Sequence, residues 1–557
     1  MGRVVLCFLA ASCLYGQFSE FAVTDDGRLL FTTVLHTGTE GSRPKVYRMA
    51  GEGLSLFANV EPSDDPFGAY TASPLTSGDG SVTGYAVHYP CRTGSCGLFA
   101  LPRTFFTVEA AGLERFAADT MQVSRNGRYL LTSAFSAASM RFNVATRIEI
   151  ASGERREFPE AGFPASGRQA LANDGSFLVL QGNQEEMRLS RVLVTGEERL
   201  IVGAEGIGRG LISPDAGRVV YERAAGTGYE LYLTDALGST HTLLGRAAAN
   251  DAFQPSFSNN GTLLYLAGGE DGLRQPVLAE PGAEPRALAT IPSGVTQAIL
   301  SGNGELAWLA TGSGQLLRVR TADGVADEII PATPILRSGS FFAYPGSVIR
   351  LNGTGLDEET RVDLEGLALP FSERTNDGLA VQIPWEYTAQ PSTPKRLTIT
   401  GPRSPFRYTT QFSLLDLPTI TFERDATFQR LQAAHQDFRG VVKQEDPARP
   451  GETIHVFVRN MGPVDRAVAT GERSPVGPPA RVTLPLACYL YESDDANRPG
   501  RITGLEVPFA GLAGGAIGIY QIDVTIPVDW TAREATLQCR TEYRGDVAQV
   551  WIGAAAP

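Results

Sequence analysis

Few residues of this 557-residue chain have the types and spacing that do chemistry. The five histidines, His36, His88, His241, His435 and His455, stand on separate stretches, without the H-x-H or H-E-x-x-H spacing that brings two imidazoles to one metal. They read as loop or packing residues. Neighbouring carboxylates occur as Asp25-Asp26, Asp64-Asp65 and Asp494-Asp495. A calcium loop needs further oxygen ligands at loop intervals, so these pairs read as turn acids. Gly203, Gly206 and Gly208 lack the strand-to-helix setting of a nucleotide cradle, and no G-x-S-x-G elbow occurs. No catalytic residue, metal ligand or cofactor-binding residue is assigned, and no cofactor is expected.

Cysteine carries the one definite covalent prediction. Cys91-Arg-Thr-Gly-Ser-Cys96 has turn residues between its ends, as a clipped hairpin needs; a lone C-x4-C zinc half-site is the rival. Cys488 and Cys539 lie in two strand-like runs, Leu486–Leu490 and Thr536–Arg540, that can be neighbours in one sandwich. With Cys7 and Cys13 removed in a leader, the even number left in an exported chain predicts Cys91–Cys96 and Cys488–Cys539 disulfides.

That leader is residues 1–16: Arg3, a short apolar run from Val4, and small Gly16 before polar Gln17. The run is too short to span a bilayer and has the form of a secretory signal. Leu9-Ala10-Ala11-Ser12-Cys13 offers lipid attachment at Cys13 as an alternative. No other run has the apolar length of a membrane helix, so the mature chain is expected to have no transmembrane segment and to be secreted or extracytoplasmic. The formal charge is −13, and the lysines are Lys45, Lys395 and Lys443 alone. Without a concentrated basic face, a nucleic-acid partner is not expected.

The elements that would position any site come from a repeat. Small polar clusters precede Gly27, Gly80, Gly127, Gly175, Gly217, Gly261 and Gly304, as in Ser124-Arg125-Asn126-Gly127 and Ser213-Pro214-Asp215-Ala216-Gly217. The gaps of roughly 42 to 53 residues are the period of a four-stranded propeller blade. Asp and Asn bond their own backbone and Gly takes positive φ, so each cluster predicts a hairpin turn. A short apolar strand follows each one, for example Tyr129-Leu130-Leu131, Val219-Val220-Tyr221 and Leu306-Ala307-Trp308-Leu309, as expected of strands buried on both faces. Third strands are expected at Val46–Met49, Leu98–Ala100, Leu231–Leu233 and Leu316–Val319. Residues 17–331 are therefore expected to form a seven-bladed β-propeller. Ser213-Pro214-Asp215, Leu231-Tyr232-Leu233-Thr234-Asp235 and Gln254–Gly261 resemble the repeat of the TolB-like propeller family.

Around Pro331 the repeat stops. Short alternating strands over residues 332–415 predict an immunoglobulin-like sandwich, and Pro450-Gly451 before Thr453–Arg459 echoes Pro345-Gly346 before its strand, predicting a second over 416–557. The first sandwich resembles the IPT/TIG fold. Phe509–Pro527, Asp446–Gly451 and Ile383-Pro384-Trp385-Glu386 make the pair similar to the C-terminal region of secreted Solibacter-type acidobacterial proteins, from which Gly462–Pro479 departs. The resemblance implies export and an accessory role, and brings no enzymatic activity. Thr427–Phe438 has no Pro or Gly and reads as one short helix, a connection between the sandwiches in preference to a site.

The expected fold class is thus all-β. Two functions remain: a secreted or cell-surface binding or scaffold protein whose propeller loops hold a peptide, glycan or protein, which is favoured, and an extracellular carbohydrate hydrolase at the channel mouth. Blade loops vary in length while blade cores do not. The longest gap, Gly27 to Gly80, carries the candidate binding residues Asp64, Asp65, Phe67 and Tyr70.

Overall fold

A computed structural model of the chain describes residues 18–36, 43–50, 53–59, 71–88, 104–109, 116–117, 120–136, 141–159, 161, 163–165, 169–182, 187–226, 228–248, 253–268, 272–332, 334–339, 341–356, 358–375, 378–389, 394–401, 407–424, 431–492, 501–542 and 545–553. The leader, the Cys91–Cys96 clip and Asp64 to Tyr70 lie outside them. The described secondary structure is β-strand apart from one short 3₁₀ turn at Trp385–Ala389, with turns and irregular chain between the strands. The chain divides into two compact units, the second beginning at Leu336.

The first unit holds seven four-stranded antiparallel sheets, each built from consecutive strands. Their first strands are Phe18–Val23, Thr71–Thr76, Thr120–Val123, Phe163–Pro164, Ile207–Ile212, Ser256–Phe257 and Val295–Leu300. Each sheet touches the next, and the last meets the first. The seventh and first sheets share one core of Phe18, Phe21, Val23 and Leu30 with Ile299, Trp308 and Leu316. Among the described residues no strand is exchanged between them, and side-chain packing and turn contacts close the circle. Second strands such as Phe177–Gly182 and Leu263–Gly268 are buried at four successive residues, because a neighbouring sheet covers each face. Fourth strands such as Glu198–Ala204 and Ala326–Ile330 are exposed over their first three residues. In the second sheet the third strand is Thr104–Glu109; the apolar run Leu98–Ala100, read as that strand, lies outside the described residues.

In the second unit, one pair of sheets encloses a core that includes Ile349, Leu351, Val381, Leu397 and Phe412. Another pair, built on Thr453–Arg459 with Tyr520–Thr525 and on Ala487–Tyr491 with Glu534–Arg540, encloses Ile454, Val456, Leu490, Ile522 and Leu537. The echo between the two halves is a repeated bond. Gly346 N–H donates to Ile383 O and Gly451 N–H to Ile526 O, each at 2.8 Å, with both glycines at positive φ.

The two halves are fused. Tyr344 N–H donates to Asn460 Oδ1 at 3.0 Å, and Asn460 N–H to Ser347 Oγ at 2.9 Å. Gly471 N–H donates to Gln382 Oε1 at 2.7 Å, and Trp385 N–H to Thr470 Oγ1 at 3.0 Å, while the Trp385 ring packs on the second core. Thr470 and Gly471 belong to Gly462–Pro479, which straps one half to the other. The helical reading of Thr427–Phe438 does not hold over its described part: Ala433–Ala434 is a strand paired with Thr453–Arg459.

Candidate functional site

The turns of the repeat form a connected polar feature of the first unit. Within each, a hydroxyl or carboxamide closes the loop: Ser77 Oγ donates to Asp79 Oδ1 at 2.6 Å, Ser124 Oγ to Asn126 Oδ1 at 2.8 Å and Ser301 Oγ to Asn303 Oδ1 at 2.7 Å. The fourth residue takes left-handed dihedrals, at φ 67° for Gly127 and 77° for Gly304. The fifth turn corrects the sequence reading. Its left-handed residue is Ala216, at φ 61°, and Gly217 is the residue after it. Register is set by the Ser-x-Asp contact, Ser213 Oγ to Asp215 Oδ1 at 2.5 Å, and not by where a glycine happens to fall.

The turns are also bonded to one another. Asp25 N–H donates to Gly78 O and Gly78 N–H to Arg125 O, both at 2.6 Å; Asn126 N–H donates to Asn173 Oδ1 at 2.8 Å, and Asn173 N–H to Pro214 O at 2.9 Å. Asn259 N–H donates to Gly302 O at 2.7 Å and Asn303 N–H to Asp25 O at 2.8 Å, which returns the belt to its start. A second set of donors caps the turn carbonyls: Arg147 Nη1 to Gly175 O at 2.9 Å, Arg218 Nη1 to Gly261 O at 2.6 Å and Trp308 Nε1 to Gly27 O at 3.0 Å.

Two side chains cross between sheets that are not neighbours. Arg125, on the third turn, pairs with Asp25 Oδ1 at 2.9 Å and donates to Val23 O at 2.6 Å and, more weakly, to Leu300 O at 3.4 Å, so it links the third sheet to the first and the seventh. Gln169, in the fourth sheet, makes a two-way amide pair with Phe257 in the sixth: Nε2 to the carbonyl at 2.9 Å and the N–H back to Oε1 at 2.7 Å. A bond that skips a sheet has to pass inside the circle. Val23, Phe257 and Leu300 are the last residues of their first strands. The two crossings therefore lie across the inside of the circle at its turn end. Asp25 lies over Gly78 and Gly302, where a Cβ would overlap its carboxylate.

The strands flanking Asp64, Asp65, Phe67 and Tyr70 are Gly53–Asn59 and Thr71–Thr76. By the antiparallel alternation, the first ends and the second begins at the edge opposite the turns. Of the four cysteines read as disulfides, Cys488 is bonded to Cys539, the two sitting directly opposite in adjacent strands and 2% and 0% exposed.

Sequence spacing missed the company of two histidines. His455 Nδ1 meets Asp523 Oδ1 at 2.7 Å and Nε2 meets Gln436 O at 3.0 Å, with Phe438 stacked over the ring at 4.1 Å. His435 lies between Glu452 Oε1 at 2.8 Å and the Asp446 carbonyl at 3.2 Å. An imidazole with a carboxylate on Nδ1 is the base-and-orienter half of a triad, but here Nε2 is occupied by a backbone carbonyl in both cases. These rings clasp the segment around Phe438 to its sheet. No spacing rule could have found pairs separated by 68 and 17 residues. Among the described residues no group of three or more His, Cys, Asp or Glu could hold a metal ion, and no helix is long and apolar enough to cross a membrane.

No protein-family model matches the chain, and no curated protein matches it. Among solved structures, the β-propeller domain of the Trilobed protease from Pyrococcus furiosus aligns with 57% of this chain and 99% of its own at 11% identity, with a TM-score of 0.39. TolB from Acinetobacter baumannii aligns over 50% of this chain and 62% of its own at 17% identity, TM-score 0.31. A puromycin-hydrolyzing peptidase of Mycobacterium tuberculosis aligns over 63% and 60% at 13% identity, TM-score 0.37. The chain thus spans 62% and 60% of the lengths of the last two. These are likenesses to TolB and other β-propeller proteins, and carry nothing about activity.

Proposed function

We propose that this is an exported, non-catalytic binding or scaffold protein: a seven-bladed, TolB-like propeller over residues 17–331, followed by an IPT/TIG-like immunoglobulin-fold sandwich over 332–415 and a Solibacter-type sandwich over 416–557. Its ligand, a peptide, glycan or protein, is taken at the channel edge opposite the turns. The observation that supports this most is that Arg125 and Gln169 cross the inside of the circle at the turn end, and we take the opposite edge as the binding edge. The connection with Asp64, Asp65, Phe67 and Tyr70 joins strands that end there. A buried disulfide favours an oxidising compartment.

A glycan and peptide array probed with the full mature chain tests the reading. A hit whose binding is lost in Phe67→Ala or Tyr70→Ala and kept in the turn variant Asp26→Ala is the expected result. Loss in Asp26→Ala alone would place binding at the wrong edge. Turnover of the hit would replace this reading by the rival one, a carbohydrate hydrolase, which the same crossings would confine to the same edge.

A further inference from the structure

Three polar irregularities fall at one junction of the first unit, between the fifth and sixth sheets. In the other turns the second or third residue donates its N–H to the next turn, but the fifth turn has Pro214 in second place. Proline has no N–H. Among the described residues the backbone N–H belt therefore crosses six junctions and omits this one, where the Arg218 side chain donating to Gly261 O at 2.6 Å is the turn-end link. On its far side the Asn259 Oδ1 atom is buried and without a partner.

The third irregularity is Glu222. It follows Val220 on the face of Arg218–Ala225 turned to the sixth sheet, where Leu211, Val220 and Leu231 pack against Phe253, Phe257, Leu263 and Tyr265. The corresponding residues of the fourth, sixth and seventh sheets are Leu180, Leu266 and Ala310, each on the face turned to the following sheet. Glu222 is 6% exposed, and its Oε1 has no hydrogen-bond partner. Burial pushes its carboxyl above the usual carboxylate range, against the opposing pull of Arg209 and of the Phe253 N–H that bonds it. Among the described residues those are the groups that act on its charge. Arg209 comes from the first strand of its own sheet, beside the bulge between Ile207 and Gly210, and Phe253 from the approach to the sixth. The Tyr265 hydroxyl of the sixth sheet donates across the junction to Leu244 O of the fifth at 3.3 Å, a bond that parting would have to break.

We propose that this junction is a proton-gated seam: the fifth and sixth sheets part when Glu222 ionises, while the junctions that carry the full belt stay closed. An apolar interface accommodates the neutral acid and resists the carboxylate. In the parted state the carboxyl is hydrated and releases its proton at the ordinary value. Closure is therefore fully favoured below that ordinary value and is weakened as pH rises through the higher value of the closed state. The inference goes beyond the binding reading and does not depend on what the ligand is.

Hydrogen exchange of the full mature chain at pH 5 and pH 8, corrected for intrinsic rates, tests it. Protection of Ile207–Ile212, Arg218–Ala225 and Leu263–Gly268 should fall about tenfold or more on going to pH 8, as one unit of pKa difference corresponds to tenfold in opening. Phe18–Val23 and Val295–Leu300 should hold. Glu222→Gln, or Glu222→Leu if the amide variant folds poorly, should abolish the difference. Pro214→Ala, by returning a donor, should raise protection at both pH values. Equal loss in all sheets, or a pH effect that survives both Glu222 variants, would overturn the proposal.

Discussion

Ala216 shows how much one residue can be made to bear by its neighbours. Left-handed dihedrals cost an alanine roughly 1 kcal/mol or more, and the Ser213 and Asp215 contacts hold it there. Ala216→Gly should therefore stabilise the first unit by about 0.5–1 kcal/mol, net of the extra chain entropy a glycine loses on folding, seen as a raised melting temperature. Arg125 is the opposite case, a buried side chain on which several orphan groups depend. Arg125→Met should cost about 2–4 kcal/mol in denaturant unfolding, since it strands the Asp25 carboxylate and the Val23 carbonyl together. Adding Asp25→Asn should recover part of that loss, because the stranded charge goes with it. Neither the alanine's role nor the arginine's was legible in the sequence. The turn motif could be read from Ser-x-Asp-Gly spacing, but a local pattern cannot say that the third turn reaches the first and seventh sheets across the axis.

At the level of elements, the short apolar strands were legible because burial on both faces leaves an unbroken apolar run, as in Phe177–Leu180 and Leu263–Leu266. Strands of mixed character were not: Thr104–Glu109 carries polar residues at both ends and lost the competition to Leu98–Ala100 on apolarity alone. The fusion of the two sandwiches was equally hidden, because its parts, Gly346, Trp385, Asn460 and Thr470, are far apart in the chain. Gly346 gives that joint a sharp test. It sits at φ 86°, and a Cβ there would come within 2.3 Å of the Trp385 ring. Gly346→Ala should destabilise the second unit by several kcal/mol by combining backbone strain with overlap, and calorimetry should show the whole unit, not one half, unfolding earlier. The Cys488–Cys539 bond closes a separation of 51 residues inside the second half. Replacing both by Ala should cost about 3–4 kcal/mol in the chain-entropy model, and since both sulfurs are buried, reductant should act slowly on the native protein and fast in denaturant.

For the whole molecule, the two crossings at the turn end have a consequence for the kind of ligand the first unit can serve. On the proposed reading, a channel closed at the end that Arg125 and Gln169 cross would serve as a cup, not a tunnel. A polymer cannot be threaded through a cup. It can only dip in a chain end, a side branch or a protruding loop, and must leave by the way it came. Entry and exit then share one rim, so whatever slows binding slows release as well, and free ends of a glycan or peptide are favoured over its interior.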